Sequence, residues 1–187
     1  VVTDTGEGFN PWRNYLACLR VGANLGSPFV ILQDDTVPVP GFPEAAERAR
    51  EKLPEALIAF CVQGMLHQNA RSAFWRALEA GEPLVEFTPH NWVPALSLGW
   101  TPELAQRALD WDAQQTMLKP SATADDGRLY YFVRWAEVPL WMSVPSLVDH
   151  ADEVPSVDGG GKGMRRPSRS TLALLPGDAR DWALALS

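Results

Sequence analysis

The chain has 187 residues, enough for one domain with a real core. Its 46% hydrophobic and 21% charged content is that of a globular protein in water, and no apolar run approaches the roughly 18 residues that would span a bilayer. A net charge of −7 argues against tight nonspecific DNA binding, which works by neutralising phosphates.

The sequence opens on Val1-Val2-Thr3-Asp4, which reads as starting inside a strand and leaves room for an upstream member of the sheet. Asn10-Pro11 followed by Trp12, Leu16 and Leu19 spells a helix capped by Asn10 and stopped at Gly22. Gly26-Ser27-Pro28 then gives way to Phe29-Val30-Ile31-Leu32-Gln33-Asp34-Asp35, an apolar run that ends abruptly on two acids. Such a run reads as a buried strand of a central sheet. Pro38, Pro40 and Pro43 break regular structure after it, and a helix is expected from Glu44 to Leu53.

Ala56–Val62 reads as a second apolar strand, Asn69–Ala80 as a capped helix closed by Gly81, and Leu84–Phe87 as a short strand. Asn91–Trp100 is apolar and Pro-containing and has no clear period. Thr101 caps a helix running to about Asp110, and Asp125-Asp126-Gly127 opens another with Leu129, Phe132 and Val133 on its apolar face. Val138–Met142 and Val144–Val148 look extended, Asp158–Ser170 is a Gly-rich basic loop, and Trp182–Leu186 closes the chain with a small element. Strands alternating with helices predict an α/β fold around a mainly parallel sheet. Residues 1–157 are read as the catalytic part, and 158–187 as a loop and terminal element of the same domain.

Neither a signal peptide nor a lipidation motif is visible, and Cys18 and Cys61 sit in apolar segments without zinc spacing. Reduced, packed thiols and a cytoplasmic location are therefore expected. Eight Trp residues are many for this length; core packing accounts for most, and some are suited to stacking on a sugar or base.

Three clusters carry the chemistry. Gln33-Asp34-Asp35 follows a strand, Asp125-Asp126 opens a helix, and Asp149-His150 ends an extended run. Open α/β sheets bind ligands at the carboxyl ends of their strands. Adjacent acids there repel one another unless a cation arrives, so a divalent metal is the natural partner.

The three motifs in this order resemble those of the nucleotide-sugar-dependent glycosyltransferases of the GT-A fold, in particular small enzymes encoded by phages. The resemblance covers roughly Val2 to Ser156. It implies a GT-A, Rossmann-like three-layer sandwich and transfer of a hexose, such as glucose from UDP-glucose, to a hydroxyl acceptor. A 5-hydroxymethylpyrimidine in phage DNA is one implied acceptor, and a glycan or lipooligosaccharide is another. For a phage protein the cytoplasm would be that of the host.

The resemblance implies that Asp35 and His150 hold Mn²⁺ or Mg²⁺, with imidazole favouring Mn²⁺. Asp34 would reach the ribose or a metal-bound water. Gln33 stands where the family usually has its first acid, so it can hydrogen-bond a ribose but brings no charge. Asp125 or Asp126 would be the base of an inverting transfer, one capping the helix and the other reacting; the second acid is favoured by analogy.

Thr3 and Asp4 would lie by the nucleotide base with Arg13 beside them. Lys162 and Arg165, in a cluster with Arg166 and Arg169 behind Gly159-Gly160-Gly161, would close on the diphosphate as a lid. Contact with an acceptor phosphate and a plain surface loop are the alternatives for this cluster. Two rival classes fit the same acids: a metal-dependent phosphoesterase, and a non-catalytic nucleotide-sugar-binding module in which Gln33 marks decay of the site.

Overall fold

The computed structural model describes residues 11–63, 67–90, 93–115, 125–150 and 171–186. Helix α1 (Pro11–Ala23) buries Trp12, Tyr15, Leu16, Leu19 and Gly22, the helical stripe expected from the sequence. The cap expected at Asn10 lies outside the described residues. Strand β1 (Phe29–Leu32) is followed by the short β2 (Thr36–Pro38), so the apolar run leaves the sheet three residues before Asp35. Helix α2 (Phe42–Lys52) starts two residues earlier than expected. Pro43 lies in its first turn, where a missing N–H costs nothing, and Gly41 precedes it at φ 75°.

Strand β3 (Leu57–Ala59) is wholly buried. Helix α3 (Gln68–Ala80) is capped by the His67 side chain and ended by Gly81 at φ 71°, the left-handed conformation that glycine adopts without strain. Strand β4 (Leu84–Glu86) follows. Strand β5 (Ser97–Trp100) lies in the stretch that the sequence left unassigned. Helix α4 (Pro102–Gln114) is capped as expected, Thr101 Oγ1 accepting from the Leu104 N–H at 3.2 Å, and it runs one turn past Asp110. Helix α5 (Asp125–Ala136), strands β6 (Leu140–Ser143) and β7 (Val148–His150), and helix α6 (Ala179–Leu184) complete the order.

The main sheet has the order β1-β5-β3-β6-β4, and β2 pairs with β7 in a separate ladder. The expectation of a mainly parallel sheet is corrected: β1–β5, β3–β5 and β4–β6 are antiparallel, and only β3–β6 is parallel. The reasons are β5, which inserts between β1 and β3 and runs against both, and β4, which runs against β6 at the far edge. All four residues of β5 are buried, so it has no polar alternation to reveal it.

Alternating residues of β3 point into two cores. Leu57 and Ala59 pack with residues of α1, α3, α4 and α5; Ile58, with Phe60 just beyond the strand, packs with α2 and α6. Helices therefore cover both faces of the mixed sheet. The C-terminal element belongs to the same body: Thr171 bridges to Gln63, Leu174 to Ser146, and Trp182 Nε1 donates to the Val144 carbonyl at 2.9 Å. Neither Cys18 nor Cys61 is in a disulfide. Among the described residues no helix is long and apolar enough to cross a membrane.

Candidate functional site

The site is built on the turn that ends β1. Gln33 N–H donates to the Leu96 carbonyl at 3.0 Å, the last rung towards β5. The Gln33 carbonyl then accepts from both the N–H and the hydroxyl of Thr36, at 3.2 and 2.6 Å. This double anchor closes a tight turn. It leaves Asp34 exposed and turns Asp35 inward, where its side chain is 19% exposed.

The second ladder supplies the next group. Thr36 pairs in register with His150, which sets the imidazole beside Asp35. His150 Nε2 lies 3.2 Å from Asp35 Oδ2, and the His150 side chain is only 8% exposed. Asp35 Oδ1 is buried without a hydrogen-bond partner. An orphaned carboxylate oxygen is costly, which makes it a place for a ligand.

The N-terminus of α5 closes the other side. Gln33 Nε2 donates to Asp125 Oδ2 at 2.7 Å, and Asp125 Oδ1 accepts from the Asp126 N–H at 3.0 Å. Burial pushes the Asp125 carboxyl up to about 6, and the charges of Asp126 and Asp35 push the same way, while backbone N–H groups hold it back. Asp126 uses Oδ1 to accept from the Gly127 N–H at 2.6 Å.

Gln33, Asp35, His150 and Asp125 are thus brought together, with Asp126 adjacent in sequence. Asp34 is exposed at the turn, and Arg13 is exposed on the first turn of α1. Thr3, Asp4, Lys162 and Arg165 lie outside the described residues, as does the rest of the Gly-rich basic loop.

Three groupings were not foreseen. Behind Asp125, Trp100 Nε1 donates to the Tyr15 hydroxyl at 3.1 Å, inside the core. Burial drives the Tyr15 hydroxyl well above its ordinary value, and Asp125 adds to that shift. Beside it, Asp112 Oδ1 accepts from Trp12 Nε1 at 2.8 Å and from Arg128 Nη1 at 3.0 Å, and the Arg128 guanidinium lies 5.6 Å from the centroid of the Trp12 ring. This clamp ties α1, α4 and α5 together at the end that carries Asp125. The sequence signal was Arg128, a charge on the otherwise apolar stripe of α5. Elsewhere, the rings of His67 and His90 approach to 4.4 Å, although nothing in their spacing suggested a pair.

Asp35 and His150 suit a divalent cation. Two adjacent ligands of an octahedral ion are about 3 Å apart when each bond is near 2.1 Å, and the observed separation is 3.2 Å. The unpartnered Asp35 Oδ1 adds a second oxygen. Among the described residues no group of three or more His, Cys, Asp or Glu side chains gathers to hold an ion. Further ligands would therefore come from water or from a substrate's phosphates, a common arrangement for Mg²⁺ and its relatives.

No family model matches the chain, and neither a curated protein nor a solved structure matches it.

Proposed function

We propose that the protein is a metal-dependent glycosyltransferase of the GT-A type, moving a hexose from a nucleotide sugar, UDP-glucose first among them, to a hydroxyl acceptor. The observation that carries this reading is the meeting of Asp35 with His150 beside the Gln33–Asp125 hydrogen bond, at the carboxyl end of a sheet strand. A cation ligand pair and a proton acceptor side by side are what such a transfer needs.

Asp35 and His150 would hold a Mn²⁺ or Mg²⁺, which would supply positive charge against the departing diphosphate. Asp125 then takes the acceptor's proton as the acceptor oxygen bonds to the anomeric carbon and the bond from that carbon to the diphosphate breaks. This is an inverting displacement, and a carboxyl titrating near 6 suits a base working at neutral pH. The geometry favours Asp125 over Asp126 for this role, because Asp125 is the acid joined to the β1 turn. Gln33 orients that carboxylate. Asp34, exposed beside them, is the candidate contact to the donor's ribose. Thr3, Asp4, Arg13, Lys162 and Arg165 remain the candidate contacts to the base and the diphosphate. The acceptor hydroxyl belongs to a glycan or to a modified base in DNA.

The test combines binding with turnover. Melting is followed with UDP-glucose and other nucleotide sugars, with and without Mn²⁺, because a ligand bound only to the folded state raises its melting point. Release of UDP is then followed with oligosaccharide acceptors and with hydroxymethylated DNA. A Mn²⁺-dependent shift with one nucleotide sugar, and turnover lost in Asp125→Asn, support the reading. Hydrolysis of a simple phosphate ester without a sugar acceptor would mark a phosphoesterase. Nucleotide affinity that is indifferent to Asp125→Asn and Asp126→Asn, with no turnover, would mark a binding module.

A further inference from the structure

Among the described residues, strand β1 ends the sheet on one side, and no strand pairs with its outer edge. Gln33 bonds to Leu96 across from β5, and antiparallel ladders alternate, so Ile31 and Phe29 also face β5. The N–H and C=O groups of Val30 and Leu32 therefore point away from the sheet, and no described residue bonds them. Leu32 is 40% exposed. An open edge with apolar side chains is a template for another strand.

The edge opens onto a groove of about 1000 Å³ between β1, α2 and the start of α4. Its walls are apolar, including Phe29, Val30, Val39, Phe42, Ala46 and Phe60. Within it lies Arg50, which is 8% exposed. Its Nη1 donates to the carbonyls of Leu53 and Ala56 at 2.8 and 2.7 Å, which fixes the plane of the guanidinium. Its Nη2 is buried without a partner. It lies against Gly99, the β5 residue in register with Val30; a Cβ there would stand 3.3 Å from it. The rim is acidic: Glu47, Glu51 and Glu103 line it and are exposed. That rim, on a chain of net charge −7, disfavours a second copy as the occupant.

We infer that the open edge of β1 and its groove dock an extended peptide strand with apolar groove-facing side chains and basic residues at its ends. The strand adds to β1 through the outward groups of Val30 and Leu32. Backbone bonds supply the affinity and the groove supplies the side-chain selection. This surface is distinct from the Asp35–His150 cluster, and the inference does not depend on glycosyl transfer.

The probe is the blocked peptide acetyl-Lys-Val-Thr-Val-Thr-Val-Lys-amide, titrated into the 187-residue chain. Calorimetry should give a dissociation constant of about 100 µM. Hydrogen exchange at the Val30 and Leu32 amides should slow at least about tenfold on binding, whereas the Ile31 amide, already paired, should change little. A peptide with Glu in place of both Lys should bind about tenfold more weakly. Val30→Pro deletes an outward N–H that no β5 bond uses, a position where a strand edge tolerates proline, and should abolish binding. Leu32→Lys leaves the backbone intact, sets a positive charge against the peptide's ends and should weaken binding likewise; it carries the test if Val30→Pro does not fold.

Three outcomes overturn the inference. One is no binding up to about 1 mM by the folded native chain. Another is binding that leaves the Val30 and Leu32 amides unprotected. The third is a dimer in solution whose Val30 and Leu32 amides are already protected, which would make a second copy the occupant.

Discussion

Asp125→Asn tests the electrostatics of the site directly. The substitution keeps the shape and removes the charge. The native carboxyl titrates near 6 rather than at 3.8, and burial is the main cause. At about 1.36 kcal/mol for each pH unit, the ionised form costs the folded state about 3 kcal/mol at neutral pH and above. The direction follows from proton counting. Between 3.8 and 6 the folded chain still holds a proton that the unfolded chain has released, so stability falls as pH rises through this window. Asparagine cannot ionise and is spared the loss. It gives up one acceptor, since Asp125 takes bonds from both Gln33 and Asp126, and this costs about 1 kcal/mol at any pH. The informative quantity is therefore the change with pH of the stability difference between variant and native protein. Integrating the titration from pH 4.5 to 8 gives about 2 kcal/mol in favour of the variant, or roughly 4–8 °C in Tm for a chain of this size. Urea unfolding at those two pH values in the presence of a chelator measures it. A difference flat to within about 0.5 kcal/mol would show that Asp125 is ordinarily solvated and would remove the argument for its basicity.

Four further substitutions probe the cluster and the packing behind it. Asp35→Asn and His150→Ala should each remove most of the stabilisation by Mn²⁺, about 2.7 kcal/mol for the native chain at a hundredfold excess over Kd; unchanged Mn²⁺ titrations followed by melting would separate the ion from this pair. Tyr15→Phe leaves the buried Trp100 indole N–H without its acceptor and should cost about 1–3 kcal/mol in urea unfolding, whereas a cost near zero would mean another acceptor takes over. Gly22→Ala drives a methyl group into the Phe29 ring and should destabilise by about 1–3 kcal/mol through overpacking between α1 and β1, whereas an unchanged denaturation midpoint would mean the two separate freely.

The helices were legible where one face is apolar and the ends are marked. Thr101 and Gly81 fixed their caps by local chemistry that tertiary packing did not override. Strand direction was not legible, because a buried strand carries no sign of which way its neighbour runs. Ser97-Leu98-Gly99-Trp100 illustrates this: all four residues are buried, the period of two vanishes, and the antiparallel insertion that reorders the sheet goes unseen. The cluster was legible in part. An apolar run ending on Asp35 and a second run ending on His150 are local patterns. Their meeting depends on the β2–β7 register, which joins segments more than a hundred residues apart. The Trp12–Asp112–Arg128 clamp showed in the sequence only as Arg128, a charge on an apolar stripe, since its partners sit on two other helices.

Gln33 is the residue on which the rival readings divide. Taken alone, an amide where the resembling enzymes carry an acid suggests a site losing its charge. Its surroundings suggest a different reason. The side chain reaches Asp125 Oδ2 at 2.7 Å as a donor. A carboxylate in its place would face a second carboxylate at that distance, and the pair would have to share a proton at neutral pH. Asp125 would then be unavailable as a base. An amide removes the conflict and still holds the turn, because the two bonds from Thr36 go to the Gln33 backbone carbonyl and not to its side chain. The acids are thereby divided: Asp35 lies against the imidazole of His150, and Asp125 takes its hydrogen bond from a neutral amide rather than facing another acid. A decaying site would have no reason to keep this hydrogen bond. Gln33→Ala should therefore impair turnover more than donor binding if transfer is the function, and should leave nucleotide affinity unmoved, with no turnover to lose, if the protein only binds.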